Sequence, residues 1–180
     1  MGALRSDARR SRQRILDVAR GHDRQTLRHN DLAREAGVGV ATVYRHFPTT
    51  QALLEALAHE ALIRLDSACT TALARDDPWD ALVGLIDDAL TLQLQDDGLQ
   101  SVLVGRTSDS PEIRQLTADI LAMSDRVVRR AHDAGVLEPT VTAQSLQHLV
   151  CGIEHAIRIG VPDDRRALQA VLLHGIRPHD

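Results

Sequence analysis

The stretch NDLAREAGVGVATVYRHFPTTQAL, residues 30–53, reads as two short helices around a glycine turn. Asn30 carries a short side-chain oxygen that accepts an orphan N–H of a first helical turn, so it is the expected cap of the first of these helices. Leu32, Ala33 and Ala36 give that helix one apolar face. Gly37 supplies the positive φ that ends a helix without a Cβ penalty. The apolar spacing resumes at Val38, and a second helix is expected through Ala41, Thr42, Val43, Tyr44 and Arg45 to Phe47. Pro48 has no amide with which to continue it. Two helices joined by a tight glycine turn make a helix-turn-helix, whose second helix enters the major groove of DNA.

Composition and charge agree with that reading. The chain has 180 residues, 43% of them hydrophobic and 26% charged, with only Tyr44, Phe47 and Trp79 as aromatics. Such a mixture favours helix over strand. All 21 basic residues are Arg. Residues 1–50 hold ten Arg against five acids, a net of +5, and residues 51–180 hold eleven against twenty, a net of −9. A basic head on an acidic body is the footprint of nucleic-acid binding that the whole-chain balance of −4 conceals. Two cysteines, Cys69 and Cys151, are too few for a disulfide framework. No 18-residue apolar run or charged leader is present, so a soluble, cytoplasmic protein without membrane partners is expected.

The run Ala36-Gly37-Val38, followed by Ala41-Thr42-Val43-Tyr44-Arg45-His46-Phe47, resembles the TetR family of transcriptional regulators, specifically over roughly residues 10 to 55. Two positions depart from the family pattern. Gly39 stands where Ser or Thr is usual, leaving the recognition helix a poorer N-cap. Thr50 stands where Lys is common, removing one expected phosphate contact. The resemblance implies an all-α fold: a three-helix DNA-binding head, residues 1–48, and a helical effector-binding and dimerisation bundle, residues 49–180. It also implies a homodimeric repressor that leaves a palindromic operator when a small-molecule effector binds. The alternative is a constitutive or architectural DNA-binding protein without an effector.

Turn and cap signals divide the chain into nine helices. Residues 1–7 read as a disordered arm, and a first helix runs from about Ala8 to Arg20. The fourth starts at a Thr49 cap and the fifth at Asp77-Pro78. Asp96-Asp97-Gly98 breaks the fifth, and a short sixth covers about Leu99 to Val104. Ser110-Pro111 opens the seventh, which Gly135 stops. Thr142 caps the eighth, and Pro162 opens the ninth.

Phosphate contacts position a protein on DNA and base-edge contacts specify sequence. Arg45 is the candidate for direct readout, since a guanidinium can bond guanine O6 and N7 together. Val40 and Ala41 suit a thymine methyl. Thr42, Tyr44 and His46 offer hydroxyl and imidazole groups at positions whose family counterparts touch phosphate or base edges. Arg28 and His29, before the second helix, and Thr50, after the third, are candidates for the flanking backbone. Val43 and Phe47 are assigned to the core. The cluster Arg5, Arg9, Arg10, Arg12 and Arg14 reads equally as a phosphate-contacting or a solvated face.

The resemblance implies an effector pocket drawing on Leu57, Leu85, Ala89, Leu92, Leu103, Leu116, Ile120 and Met123, with His59, Gln93 and Thr117 as polar neighbours. The expected dimer surface is the last two helices, including Leu168, Val171 and Leu172. Across the eighth helix His148, Cys151 and His155 are spaced for one face; they are read as interface residues rather than metal ligands. No metal or cofactor is expected. Catalysis is discounted, because Gly37 and Gly39 make only a G-x-G between helices and no nucleophile elbow or Glu-x-x-His motif appears.

Overall fold

The structure is a computed structural model, and it describes residues 2–22, 27–104, 110–160 and 164–178. The described residues form nine helices and no strand, as the composition leads one to expect: α1 Gly2–Ala19, α2 His29–Glu35, α3 Val40–His46, α4 Thr50–Ala74, α5 Pro78–Gln95, α6 Asp97–Val104, α7 Pro111–Asp133, α8 Ala143–Ile159 and α9 Asp164–Gly175. They make two compact units. The first joins Met1–His59 to Asp97–Ile113, and the second joins Glu60–Asp96 to Arg114–Asp180. The first unit therefore includes the first turns of α4 and all of α6 as well as α1–α3.

Local chemistry sets most boundaries. Asp77 accepts the Asp80 amide at 2.8 Å ahead of Pro78, an N-cap followed by a proline that needs no amide. Thr142 and Ser145 exchange side-chain and backbone bonds of 3.0 and 2.8 Å in a capping box at the start of α8. Thr49 accepts the Ala52 amide at 3.0 Å at the start of α4. Gly37 and Gly135 stop α2 and α7 with φ of 62° and 67°, values that a side chain would make costly.

Four expectations need correction. Residues 2–7, expected to belong to a disordered arm, are helical: α1 already starts at Gly2 and carries an Asp7–Arg10 pair at 2.8 Å on its exposed side. Asn30 is not a cap. Arg28 occupies that position with extended backbone and makes no side-chain cap bond, so Asn30 falls inside the first turn. The break between α5 and α6 shrinks to Asp96 alone, with α6 starting at Asp97. His148, Cys151 and His155 do not share an environment: Cys151 is buried and both histidines are exposed. Among the described residues no group of three His, Cys, Asp or Glu is arranged to hold a metal ion. Pro162 lies outside the described residues.

The core of the first unit gathers Ile15, Leu16 and Ala19 of α1 with Leu32 and Ala33 of α2, Val43 of α3, Phe47, and Leu53 and Leu57 of α4. Phe47 is 1% exposed, and burying a side chain of that size contributes about 2–3 kcal/mol. In the second unit α8 packs on α5 and on α9. The core there includes Leu62, Leu65, Leu82, Ile86, Leu90, Val127, Leu146 and Val150.

Two helix ends in the second unit are closed from a distance. Neither α4 nor α5 has a basic residue in its last turn. Arg130 of α7 donates instead to the carbonyls of Leu73 at 2.8 Å, Arg75 at 2.7 Å and Asp76 at 3.3 Å. Arg158 of α8 donates to Gln93 O at 2.8 Å and Leu94 O at 3.3 Å, while its Nε engages the buried carboxylate of Glu154. These guanidinium groups satisfy carbonyls that a helix end leaves orphaned. Arg75 itself crosses Gly84 of α5 to reach Asp80 O at 2.7 Å. A Cβ on Gly84 would run into the Arg75 guanidinium, so a larger residue there would displace that side chain. Trp79, at the start of α5, lies under the Arg177 guanidinium, which is 4.0 Å from the ring centroid, and so tethers the segment after α9.

Candidate nucleic-acid interface

The turn Ala36–Gly39 sets α3 against α2 and α1 within the first unit. Val43 and Phe47 are buried at 0% and 1% exposure and fix which side of α3 faces inward. The rest of the helix is thereby turned toward the outside. Val40 is 41% and Tyr44 51% exposed, Ala41 and Arg45 are exposed, and Thr42 and His46 are half-buried. Two large apolar or aromatic groups thus stand in water on a seven-residue helix.

The outward groups are also held in place. His29 donates from Nε2 to Phe47 O at 2.8 Å, and its ring stacks on Tyr44 with centroids 4.6 Å apart and planes 8° from parallel. The imidazole thereby closes the end of α3, whose last carbonyls lack partners along the chain. His29 is therefore buried and acts as a brace for Tyr44, whereas Arg28 beside it is exposed. Nothing in the sequence pattern around His29 signals this inward role. On the far side of Phe47 the Arg12 guanidinium lies 5.4 Å from the ring centroid. Arg9, Arg10 and Arg14 remain exposed on α1, and the side chain of Arg5 lies outside the described residues.

Electrostatics of the face follow from these neighbours. The His46 imidazole is pushed below its ordinary value of 6.5, first by burial and then by the positive charges of Arg12 and Arg45. It is thus a neutral donor–acceptor group at neutral pH, next to two fixed cations. Thr50 is exposed at the first turn of α4. Gly39 has φ −70° and ψ 144° and caps α3 without a side-chain bond, as its lack of a hydroxyl requires.

The other candidate positions are spread over both units. Leu57 is in the core of the first unit, where Leu103 is half-buried. In the second unit Leu85, Leu92 and Ile120 are buried, and Ala89, Leu116 and Met123 are half-buried. Gln93 is 1% exposed and its side-chain oxygen has no hydrogen-bond partner among the described residues. On α8 and α9, Cys151 and Leu172 are buried within the chain itself, Leu168 is half-buried, and His148 and His155 are exposed. The large apolar groups left in water on these two helices are Leu149 at 45%, Ile159 at 75% and Val171 at 72%.

Comparison with known proteins agrees with this arrangement. The pattern of bacterial regulatory proteins of the tetR family matches residues 16–57, and that of the SbtR-like transcriptional regulator C-terminal domain matches residues 77–178. The chain is 32% identical over 80 residues to the HTH-type transcriptional regulator SAR0097 of Staphylococcus aureus, a match covering 42% of each protein. The chain thus spans less than half the length of that relative. A solved TetR transcription regulatory protein from Mycobacterium vanbaalenii is 31% identical, with 97% of this chain and 99% of that one superposed at a TM-score of 0.51. The TetR regulator SCO0520 of Streptomyces coelicolor is 25% identical and gives a TM-score of 0.55 over 94% of this chain and 99% of its own. With a helix-turn-helix at the head, an SbtR-like body behind it and solved relatives matching almost end to end, the chain belongs to the TetR family of transcriptional regulators.

Proposed function

We propose that the protein is a homodimeric repressor that holds operator DNA through α3 and is released by a small-molecule effector. The observation that carries the DNA-binding half is the outward face of α3, where Val40, Ala41, Tyr44 and Arg45 stand clear of a core anchored by Val43 and Phe47. Arg45 reads a base edge, Val40 and Ala41 pack on it, and Thr42, Tyr44 and His46 fix the register on the phosphates. Arg28 and Thr50 lie at the two flanks of the helix-turn-helix and contact the backbone there. His29 acts through Tyr44.

Pairing places two such faces on the half-sites of a palindrome. The exposed Leu149, Ile159 and Val171, with His148, His155 and the half-buried Leu168, support α8 and α9 as the dimer surface. Cys151 and Leu172 back that surface from inside. The effector is assigned to the second unit on the strength of the family resemblance, with Ala89, Leu116 and Met123 as half-buried aliphatic walls.

The test is Arg45→Ala on DNA enriched from random sequence by the wild-type protein. Loss of about 1–3 kcal/mol of binding, with relaxed preference at one position per half-site, is expected. Unchanged affinity and an unchanged preferred sequence would remove Arg45 from the readout.

A further inference from the structure

The helix α1 is longer than its share of the core requires. Its first buried side chain is Ile15, and every described side chain from Ser6 to Arg14 is exposed or half-buried. Residues 6–14 hold four Arg against the single acid Asp7. A helical stretch that is polar all round gains nothing from packing against its own chain. Its charge instead complements a polyanion.

The four arginines divide between two sides of the helix. At about 100° per residue, Arg9 lies about 60° from Arg12, whereas Arg10 and Arg14 lie about 160° away, on the opposite side. Arg10 is paired with Asp7 at 2.8 Å. Arg9 and Arg12 form no ion pair among the described residues. Arg12 is also held in place, its guanidinium 5.4 Å from the ring centroid of Phe47, the residue that ends α3. A guanidinium over a ring still has N–H donors to give. Arg12 borders a hollow with His46, Pro48 and Thr49, where the chain passes from α3 into α4. Its charge is felt by the His46 imidazole, which sets it beside the recognition helix. The acids of the same hollow have donors of their own: the Ser110 amide lies 3.2 Å from Glu55, and His59 lies 3.6 Å from Glu112.

We infer that α1 is a second DNA-contacting element, in which Arg12, and Arg9 one turn before it, bind backbone phosphates beside the groove that α3 enters. Contacts of this kind fix position on the duplex and carry no sequence information. The inference rests on the reading of α3 as the operator-binding helix, which Arg45→Ala tests separately.

The experiment measures the salt dependence of binding to the duplex that the wild-type chain enriches from random sequence, and to a scrambled duplex. Arg12→Gln and Arg9→Gln each lower the slope of log K against log salt by about 0.9 per bound protomer, or about fivefold in affinity at ~0.15 M salt. The factor is the same on both duplexes, whereas Arg45→Ala relaxes sequence preference. Arg14→Gln removes an equal charge from the opposite side of α1 and leaves the slope nearly unchanged. Arg12→Lys keeps the slope, since an ammonium also binds phosphate as a point charge, which separates loss of charge from loss of the Phe47 contact. Arg9 is exposed and away from the core, so its replacement leaves folding intact. Unchanged slopes in both Gln variants, or an equal fall in Arg14→Gln, would overturn the role of α1 while wild-type binding and the Arg45 result still decide α3. A wild-type chain that binds no duplex would refute both.

Discussion

Replacing Arg130 by Met keeps an unbranched stem against α7 and removes the guanidinium that closes α4. The lost bonds are those to Leu73 O at 2.8 Å, which is part-buried, and to Arg75 O at 2.7 Å and Asp76 O at 3.3 Å, which are exposed. A bond from a charged donor to a part-buried carbonyl contributes about 1.5–3 kcal/mol, because the acceptor is left poorly solvated without it. Water replaces the donor at the two exposed carbonyls, so each is worth about 0.5 kcal/mol, the lower end of the ordinary range. The expected cost is therefore about 3 kcal/mol, which for a chain of this size lowers the melting temperature by about 6–12 °C. Urea unfolding followed by far-ultraviolet circular dichroism measures it. Arg130→Lys should recover less than half, since one ammonium cannot span three carbonyls as the guanidinium fork does. A Met variant within about 0.5 kcal/mol of the wild type would refute the account of how α4 ends, as would a Lys variant indistinguishable from Arg, since the planar fork would then be irrelevant.

Two further outcomes are expected at the head. Gly39→Ser fits the extended backbone at φ −70° and places its Cβ at an ordinary 3.7 Å from Thr42 Oγ1. It should stabilise the chain by about 0.5 kcal/mol in urea titration, through the new N-cap and the lost freedom of glycine; destabilisation would show that a hydroxyl is not tolerated there. His46 titrates below 6.5 in the folded state, so below that pH the unfolded chain binds its proton more readily and stability falls as pH falls. His46→Gln should therefore flatten the loss of stability between pH 7 and pH 5, and an unchanged pH profile would contradict the shift.

Much of this architecture was legible because many of its helix boundaries are written in short-range chemistry. Asp77-Pro78, Thr142, Gly37 and Gly135 each act within a turn of their own position, and each boundary lies where such signals put it. The outward and inward sides of α3 followed from periodicity for the same reason. What escaped were features produced by residues far apart in the chain. His29 looked like a free polar group before a helix, yet its ring is claimed by Phe47 O, 18 residues away. Arg12 reads as one of a run of solvated arginines until Phe47 is placed beneath it. A concavity beside the end of α3 is assembled from three separate segments of the chain, at Arg12, over residues 46–59 and over residues 110–113. No periodicity within one helix could announce it.

The closure of α4 by Arg130 and of α5 by Arg158 joins residues 57 and 65 positions apart. Contacts of such separation carry a loop-closure cost that local turns do not, and they form late in folding. Until α7 and α8 are in place, the last turns of α4 and α5 can only fray, whatever their intrinsic propensity. Ribosomal synthesis delivers α4 and α5 first, so both emerge with open ends and are completed when the second half of the chain arrives. A truncation before α7 should therefore yield shortened helices rather than a stable half-body. In the second unit the two arginines act as delayed fasteners of helices made earlier in the chain.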